Sequence, residues 1–224
     1  MLVLLPPSEG KATRARGRSL DLAALTLPEL TGPRERVLAE LSAVSARDDA
    51  PDVLGVGAGV AAEVARNTRL RSAPTLPAGQ LYTGVLYDAL DLPTLDAASR
   101  RRASRRVLVS SALFGALRLT DRVPPYRLAM GVTLPGTGPL ARFWRPHLAP
   151  VLPALVGRGL VVDCRSSGYA ASWPVPAELA DRWLVVRVPG ATHRAKHTRG
   201  LVARALVSEP ADPQQPTRLA DRLR

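Results

Sequence analysis

The chain contains almost no cysteine and few histidines. Cys164 is the single cysteine among 224 residues, so an internal disulfide is excluded and a reducing compartment is favoured. His193 and His197 stand four residues apart, the spacing of a shared helix face. Because no carboxylate with metal-ligand spacing lies near them, we predict no metal site and no cofactor, and direct handling of iron is poorly supported. Cys164 is interpreted as a small buried residue at a strand end.

The sequence also lacks a long apolar segment. No uninterrupted apolar run approaches the roughly 18 residues that a membrane-spanning helix requires. Residues 1–5 are apolar but carry no basic leader, so they are interpreted as a buried strand rather than a signal peptide. We therefore predict a cytoplasmic protein with no membrane partner.

Acidic residues are scarce relative to basic ones. The chain has 31 lysines and arginines against 19 aspartates and glutamates, giving a formal net charge of +12. The excess of arginine over lysine is typical of GC-rich coding sequence, but that bias does not explain the shortage of acids. The surplus favours polyanionic partners, such as nucleic acid or phosphorylated ligands.

Lysine is nearly absent, since only Lys11 and Lys196 occur. An ammonium group on a flexible stem can shift its pKa, act as a compact point charge or serve as a nucleophile in ways that a guanidinium cannot. Chance survival is the alternative interpretation. Both lysines, however, lie in segments that are unusual for other reasons.

Apolar runs alternate with helix-like segments, which indicates a mixed α/β or α+β fold: one compact domain with a central sheet flanked by helices. The domain is predicted to span residues 1–207, followed by a polar tail at 208–224. Strands are predicted at residues 1–5, 107–111, 160–164 and 183–188. Helices are predicted at residues 33–46, 57–66, 96–106, 138–156 (kinked or divided by prolines) and 194–207, with a turn and helix at 81–90 and a turn-rich connection at 114–125.

Polar segments follow the apolar strands, where open α/β sheets place ligands. The first is Pro7-Ser8-Glu9-Gly10-Lys11, which follows the first strand. Its glycine allows close backbone approach, and Ser8 with Lys11 suits either an anion site or a nucleophile beside an activating amine. A plain surface turn is the alternative.

Two further segments combine aromatic, hydroxyl and basic groups. Tyr82 and Thr83 suit stacking plus a hydrogen bond, although Thr83 is equally suited to capping a helix. Tyr126 and Arg127 offer a stackable ring and a bidentate anion-binding group. Asp121 is predicted to pair locally with Arg118 or Arg122.

The last segment, residues 193–200, is predicted to open the final helix. Lys196 and Arg199 lie three residues apart and share a face near an electropositive helix start, which favours phosphate. A solvated basic face is the alternative interpretation.

The motifs together resemble the YaaA family. They are Pro7-Ser8-Glu9-Gly10-Lys11, Tyr82-Thr83-Gly84, Leu113-Phe114-Gly115-Ala116-Leu117-Arg118, Pro125-Tyr126-Arg127-Leu128-Ala129-Met130-Gly131, Phe143-Trp144 and Lys196 with Arg199-Gly200. The resemblance covers about residues 1–207 and is closest to the actinobacterial form. The chain lacks the C-terminal Gly-Tyr-aromatic segment of longer members, so the contacts of that segment are not expected.

This resemblance implies a mixed α/β fold with a positively charged cleft and a helix-hairpin-helix-like element. The hairpin turn is placed at residues 114–116 or at 156–159. The family is associated with defence against hydrogen peroxide by limiting DNA damage and free iron, and some members bind DNA, including distorted or branched forms. By motif, the cleft is lined by Lys11, Tyr82, Thr83, Arg127, Lys196 and Arg199.

Two functions follow as expectations. The first is a DNA-binding protein of the peroxide stress response that contacts DNA through Lys11, Thr83, Tyr126, Arg127, Lys196 and Arg199. The alternative is an enzyme acting on a nucleobase, nucleotide or other small molecule in the same cleft. Its catalytic residues would be Ser8, Lys11, Tyr82 and Lys196, since a pure phosphate site needs no such hydroxyls.

Overall fold

The structure, a computed structural model, describes residues 1–189, 192–211, 215–217 and 219. Its centre is a five-stranded mixed sheet in the order β4-β3-β1-β8-β9. These strands are β1 (Leu2–Leu5), β3 (Val107–Ser111), β4 (Gly115–Arg118), β8 (Val161–Asp163) and β9 (Trp183–Val185). β1, β3, β8 and β9 run parallel, whereas β4 pairs antiparallel with β3. The prediction of a mixed α/β domain with a central sheet is confirmed.

The central strands lie in the hydrophobic core. In β1 all four residues are at most 1% exposed, and Val3 lies opposite both Val107 and Val162. Parallel strands covered on both faces give continuous apolar runs rather than alternating ones. This explains why the apolar runs of the sequence located these strands correctly.

Short strand pairs and helices surround this sheet. The two small antiparallel pairs are β2 (Leu76–Pro77) with β5 (Arg122–Val123), and β6 (Thr133–Leu134) with β7 (Gly138–Pro139). The described helices are α1 (Thr31–Ser45), α2 (Ala50–Leu54), α3 (Ala61–Arg66), α4 (Ala78–Leu81), α5 (Val85–Leu90), α6 (Ala97–Arg106), α7 (Leu140–Leu148), α8 (Leu152–Val156), α9 (Ser167–Ala170) and α10 (Thr192–Ser208). Single 3-10 turns occupy Pro28–Leu30, Ala58–Val60, Asn67–Arg69, Leu92–Thr94 and, longer, Ala177–Arg182. None of the helices in the described ranges is long and apolar enough to cross a bilayer.

Local chemistry sets several element boundaries. Asp96 caps α6, because its carboxylate accepts hydrogen bonds from the amides of Ala98 and Ser99 at 2.7 and 2.9 Å. The predicted helix at 138–156 is divided into α7 and α8 near Pro150, as its prolines indicated. The last strand is shorter than predicted, since it ends at Val185. Of the predicted tail at 208–224, the structure describes residues 208–211, 215–217 and 219, and Ser208 is the last residue of α10.

The structure differs from the turn-rich connection that the sequence predicts at residues 114–125. Residues 115–118 form strand β4 instead of turns, and Gly115 starts it with a positive φ of 73°. A Cβ there would lie 2.7 Å from the Trp144 ring, so the hairpin requires glycine. The turn at 114–116 thus joins two strands, and residues 156–159 join α8 to β8. Neither turn forms a helix-hairpin-helix.

Many arginines bind backbone carbonyls within the fold. Arg34 is 0% exposed and donates to the carbonyls of Thr26, Leu27, Phe114 and Ala116 at 2.7 to 3.1 Å. Other arginines that donate to backbone carbonyls include Arg102, Arg106, Arg118, Arg122, Arg182 and Arg204. Part of the basic surplus therefore stabilises the fold and is not available to a polyanionic partner.

The predicted local ion pair of Asp121 is wrong. Its carboxylate accepts hydrogen bonds from the backbone amide of Arg118 at 2.8 Å and from the amide and hydroxyl of Thr26, both at 2.9 Å. Asp121 is 5% exposed, and these donors satisfy it without a guanidinium.

Candidate functional site

A cleft of about 540 Å³ opens where β1 ends. We call it the strand-end cleft, because the loop after β1 and the segment after β8 both line it, as expected for an open α/β sheet. Among the described residues that line it, the basic ones are Lys11, Arg127, Lys196 and Arg199, and Glu9 is the single acid. Hydroxyl-bearing lining residues are Ser8, Thr83, Tyr87, Ser166 and Tyr169, and apolar ones include Pro6, Pro7, Leu54, Val56 and Leu128. Most of the predicted site residues are therefore brought together.

The side-chain hydroxyl of Ser8 holds the loop after β1 in place. Ser8 Oγ donates to the Gly10 carbonyl at 2.5 Å and accepts the Thr83 amide at 3.0 Å. A bridge between Lys11 and Tyr82 continues this pairing. Because the hydroxyl hydrogen goes to a carbonyl rather than to a basic group, this geometry makes Ser8 a residue that holds the loop and not an activated nucleophile.

Lys11 has an unusual environment for an amine. Its Nζ donates to the carbonyls of Ser8 and Glu9 at 2.8 and 3.2 Å, and lies 4.5 Å from the centroid of the Tyr126 ring. Burial, followed by the positive charge of Arg127, lowers the pKa of Lys11 to about 8, although Glu63 and Glu9 act in the opposite direction. An appreciable fraction of this amine is therefore neutral near physiological pH.

Arg127 is positioned by residues that sequence reasoning missed. Its backbone N–H and C=O both bond to the side chain of Asn67 at 2.9 Å, and Asn67 is 0% exposed. The guanidinium lies 3.4 Å from a Glu63 carboxylate oxygen and 3.6 Å from one of Glu9. No motif marks Glu63 or Asn67, since an isolated polar residue on a helix carries no sequence signal of its own.

The two tyrosines predicted to stack on a ligand are buried instead. Tyr82 and Tyr126 are 2% and 4% exposed, and their hydroxyls bond to each other at 3.0 Å. The Tyr126 hydroxyl also bonds to Ser111 Oγ at 2.8 Å. Burial raises the pKa of both phenols, so they remain neutral. The rings form a floor under Lys11, and their predicted stacking role is not available in this conformation.

Thr83 borders the cleft through an exposed side chain. Thr83 does not cap α5, because the N-cap position of that helix is occupied by Gly84, and no side chain makes a capping hydrogen bond there. Gly84 has a φ of 92°, a backbone conformation that favours glycine. The turn therefore places Thr83 at the rim of the cleft.

Helix α10 contributes Lys196 and Arg199. Lys196 is exposed, whereas Arg199 is half-buried and its Nε has no hydrogen-bond partner among the residues that the structure describes. The helix approaches α5 so closely at Gly200 that a Cβ there would lie 2.2 Å from the Leu86 carbonyl oxygen. Gly200 thus sets the distance of both basic side chains from the cleft.

Cysteine and histidine do not contribute to this cleft. Cys164 is 0% exposed, and burial followed by the nearby Asp163 raises the pKa of its thiol to about 12. A buried protonated thiol is a poor nucleophile and a poor peroxide sensor. His193 and His197 are exposed on α10, and no cluster of three or more potential metal ligands occurs in the part of the chain that the structure describes.

Comparison with known proteins gives consistent matches over the chain. A family model described as "Peroxide stress protein YaaA" matches residues 1–221. A UPF0246 protein of Streptomyces coelicolor is 51% identical over 232 residues, covering 100% of this chain and 89% of that protein. A UPF0246 protein of Corynebacterium efficiens is 40% identical over 229 residues, covering 99% and 91% of the two chains. One from a Ruegeria species is 32% identical over 196 residues, covering 83% and 74%.

Proposed function

The chain belongs to the YaaA peroxide stress protein family, and we propose that it binds DNA through the strand-end cleft. One observation carries this proposal: Lys11, Arg127, Lys196 and Arg199 come from three separate parts of the chain and line one cleft. Guanidinium and ammonium groups are the usual protein partners of phosphate oxygens.

The electrostatics of the cleft support an anionic ligand. Glu9 is the single acid among the described lining residues; its carboxylate lies 3.6 Å from Arg127, and that of Glu63, which is not a lining residue, lies 3.4 Å from it. The buried Nε of Arg199 has no partner in the described part of the chain. A phosphate oxygen would satisfy such a donor, because guanidinium N–H groups bind phosphate with directional hydrogen bonds.

The dimensions of the cleft suggest how DNA is held. A volume of about 540 Å³ suits a unit of the size of a nucleotide rather than a double helix. We therefore propose that an unpaired or displaced nucleotide enters the cleft while the flanking phosphates contact its rim. This favours distorted, branched or single-stranded DNA over regular duplex.

The experiment is a binding titration of fluorescent duplex, bubble, single-stranded and four-way-junction DNA over a series of salt concentrations. If four phosphates are neutralised, the logarithm of the association constant falls with the logarithm of salt concentration with a slope of about −3.6 for duplex DNA and about −2.8 for single-stranded DNA. Lys196→Ala should reduce the duplex slope by about 0.9 and the single-strand slope by about 0.7. Weak binding without salt dependence would exclude the proposal.

A second candidate function is supported by Lys11 alone. An amine whose pKa is lowered to about 8 by burial and by Arg127 is suited to nucleophilic or base chemistry on a nucleotide or a small molecule. Lys11→Arg separates the two functions, because arginine retains a positive charge for phosphate but loses amine chemistry. Retained DNA affinity with a lost reaction would favour the enzyme.

A further inference from the structure

We propose that Lys11 forms an imine with the aldehyde carbon of an abasic deoxyribose held in the strand-end cleft. This inference rests on the proposed DNA binding and specifies the substrate class of that site. Base loss is one outcome of oxidative damage to DNA, and it leaves a sugar whose open form carries an aldehyde at C1′.

The geometry around the amine suits a neutral nitrogen. Two carbonyls, those of Ser8 and Glu9, accept hydrogen bonds from Lys11 Nζ at 2.8 and 3.2 Å. A neutral amine has two hydrogens and one lone pair, so it keeps both hydrogen bonds and retains a lone pair for attack. The carbonyls of the loop thus hold the Lys11 amine in place even when the amine carries no charge.

Burial and the charge of Arg127 favour the same neutral state. Burial and Arg127 lower the pKa of Lys11 to about 8, while the carboxylates of Glu63 and Glu9 oppose that shift. At pH 7 about one tenth of the amine is then neutral, against well below one thousandth for an ordinary lysine. The reactive form is present without any further activating group.

The cleft also suits an abasic sugar. Arg127, Lys196 and Arg199 lie around the same cavity as Lys11 and provide cations for the phosphates on either side of the sugar. Tyr82, Tyr126 and the lining residue Tyr87 are buried and offer no ring for a base to stack on, which leaves Tyr169 as the single partly exposed ring among the described lining residues. A nucleotide that lacks its base needs no pair of stacking rings.

The chemical step is balanced without a co-reactant. The Lys11 lone pair attacks the C1′ carbonyl carbon, and proton transfer gives a carbinolamine. Loss of its hydroxyl group, with one proton, as water then forms the C=N bond. One water is released, no atom is oxidised or reduced, and hydrolysis reverses the step.

The composition makes this step unusually easy to test. The chain has three primary amines: Lys11, Lys196 and the N-terminus. Met1 precedes β1 and the cleft follows it, so the N-terminal amine lies at the opposite edge of the sheet. Four strand residues separate the two by about 13 Å.

The test is reductive trapping of a labelled duplex containing one abasic site, with sodium cyanoborohydride present. The wild-type protein should form a covalent adduct whose modified peptide contains Lys11. The yield of adduct with Lys11→Arg should be lower by at least about tenfold. Circular dichroism checks that the variant folds.

Arg105→Lys serves as the matched control, because it adds an exposed amine outside the cleft and should gain no adduct. An adduct at Lys196 or Met1, or full trapping by Lys11→Arg, would overturn the inference.

Two parallel measurements separate the possible failures. Fluorescence anisotropy without reductant measures binding of the same abasic duplex. Binding without trapping would overturn the imine and leave DNA binding intact. Pyridoxal phosphate with borohydride probes Lys11 with a small phosphate-bearing aldehyde, and selective labelling of Lys11 supports its role as the reactive amine. Absence of DNA binding would overturn the proposed function, and with it abasic DNA as the substrate.

Discussion

Replacing Arg127 by methionine should make Lys11 less reactive near neutral pH. The backbone of Arg127 is held by Asn67, so the substitution removes the guanidinium while leaving that anchor in place. The positive charge that lowers the pKa of Lys11 disappears, whereas Glu63 and Glu9 remain and favour the ammonium form. We therefore expect the pKa of Lys11 to rise above its value of about 8.

The size of the effect follows from the neutral fraction of the amine. Against the ordinary value of 10.5, a pKa of about 8 makes the neutral form at pH 7 about 300-fold more abundant. Each unit by which Arg127→Met raises the pKa removes about tenfold of this advantage. Burial remains after the substitution, so the advantage should shrink without a change in fold.

The assay is trace acetylation over a pH series, with peptide mass spectrometry. The two lysines lie in different peptides, and the N-terminal amine provides an internal reference. Arg101→Met is the control, because Arg101 is exposed on α6 and is not a lining residue of the cleft. An unchanged or lower apparent pKa of Lys11 in Arg127→Met would refute the electrostatic account.

Three further predictions concern stability and packing. Arg34→Met should reduce the free energy of unfolding by about 3 kcal/mol in urea titrations, because it removes four hydrogen bonds of one buried guanidinium, of which those to Leu27 and Phe114 go to carbonyls that keep a backbone donor; a loss below about 1 kcal/mol would contradict this. Gly200→Ala should lower stability by about 1–3 kcal/mol and weaken DNA binding, because the added Cβ pushes α10 away from α5, whereas Gly57→Ala meets no atom within 4 Å and should do neither. The folded pKa of Lys11 lies below its ordinary value, so the unfolded chain binds more protons at this amine between about pH 8 and 10.5, and the contribution of Lys11 to stability should rise with pH across this window by up to about 3 kcal/mol. Buried Cys164 has a raised pKa and acts in the opposite direction from about pH 9, so the measured quantity is the difference in unfolding free energy between wild type and Lys11→Met, which should grow with pH over this window.

The sequence predicted the sheet well because its strands are buried on both faces. Continuous apolar runs at β1, β3 and β8 need no tertiary information to be recognised. Strand β4 was missed, because its glycine start and the turn before it resemble a loop. Its conformation depends on the Trp144 ring packed against Gly115, which is distant in sequence.

The sequence also located most of the cleft, for a topological reason. Parallel strands end at one edge of the sheet, so the loops after them meet there, as Ser8 and Ser166 do. The roles within the cleft were harder to predict. The burial of Tyr82 and Tyr126 and the anchoring of Arg127 by Asn67 depend on side-chain packing that no local pattern encodes.

The most direct test of the central claim compares two variants that remove the same charge. Lys196→Ala with Arg199→Ala alters the cleft, whereas Arg101→Ala with Arg105→Ala alters exposed residues of α6. In a salt series with bubble DNA, the cleft variant should lose about tenfold in affinity at physiological salt and reduce the salt slope by about 1.8, while the α6 variant stays within about threefold of wild type. Equal losses in both variants would mean that net charge, rather than the strand-end cleft, accounts for binding.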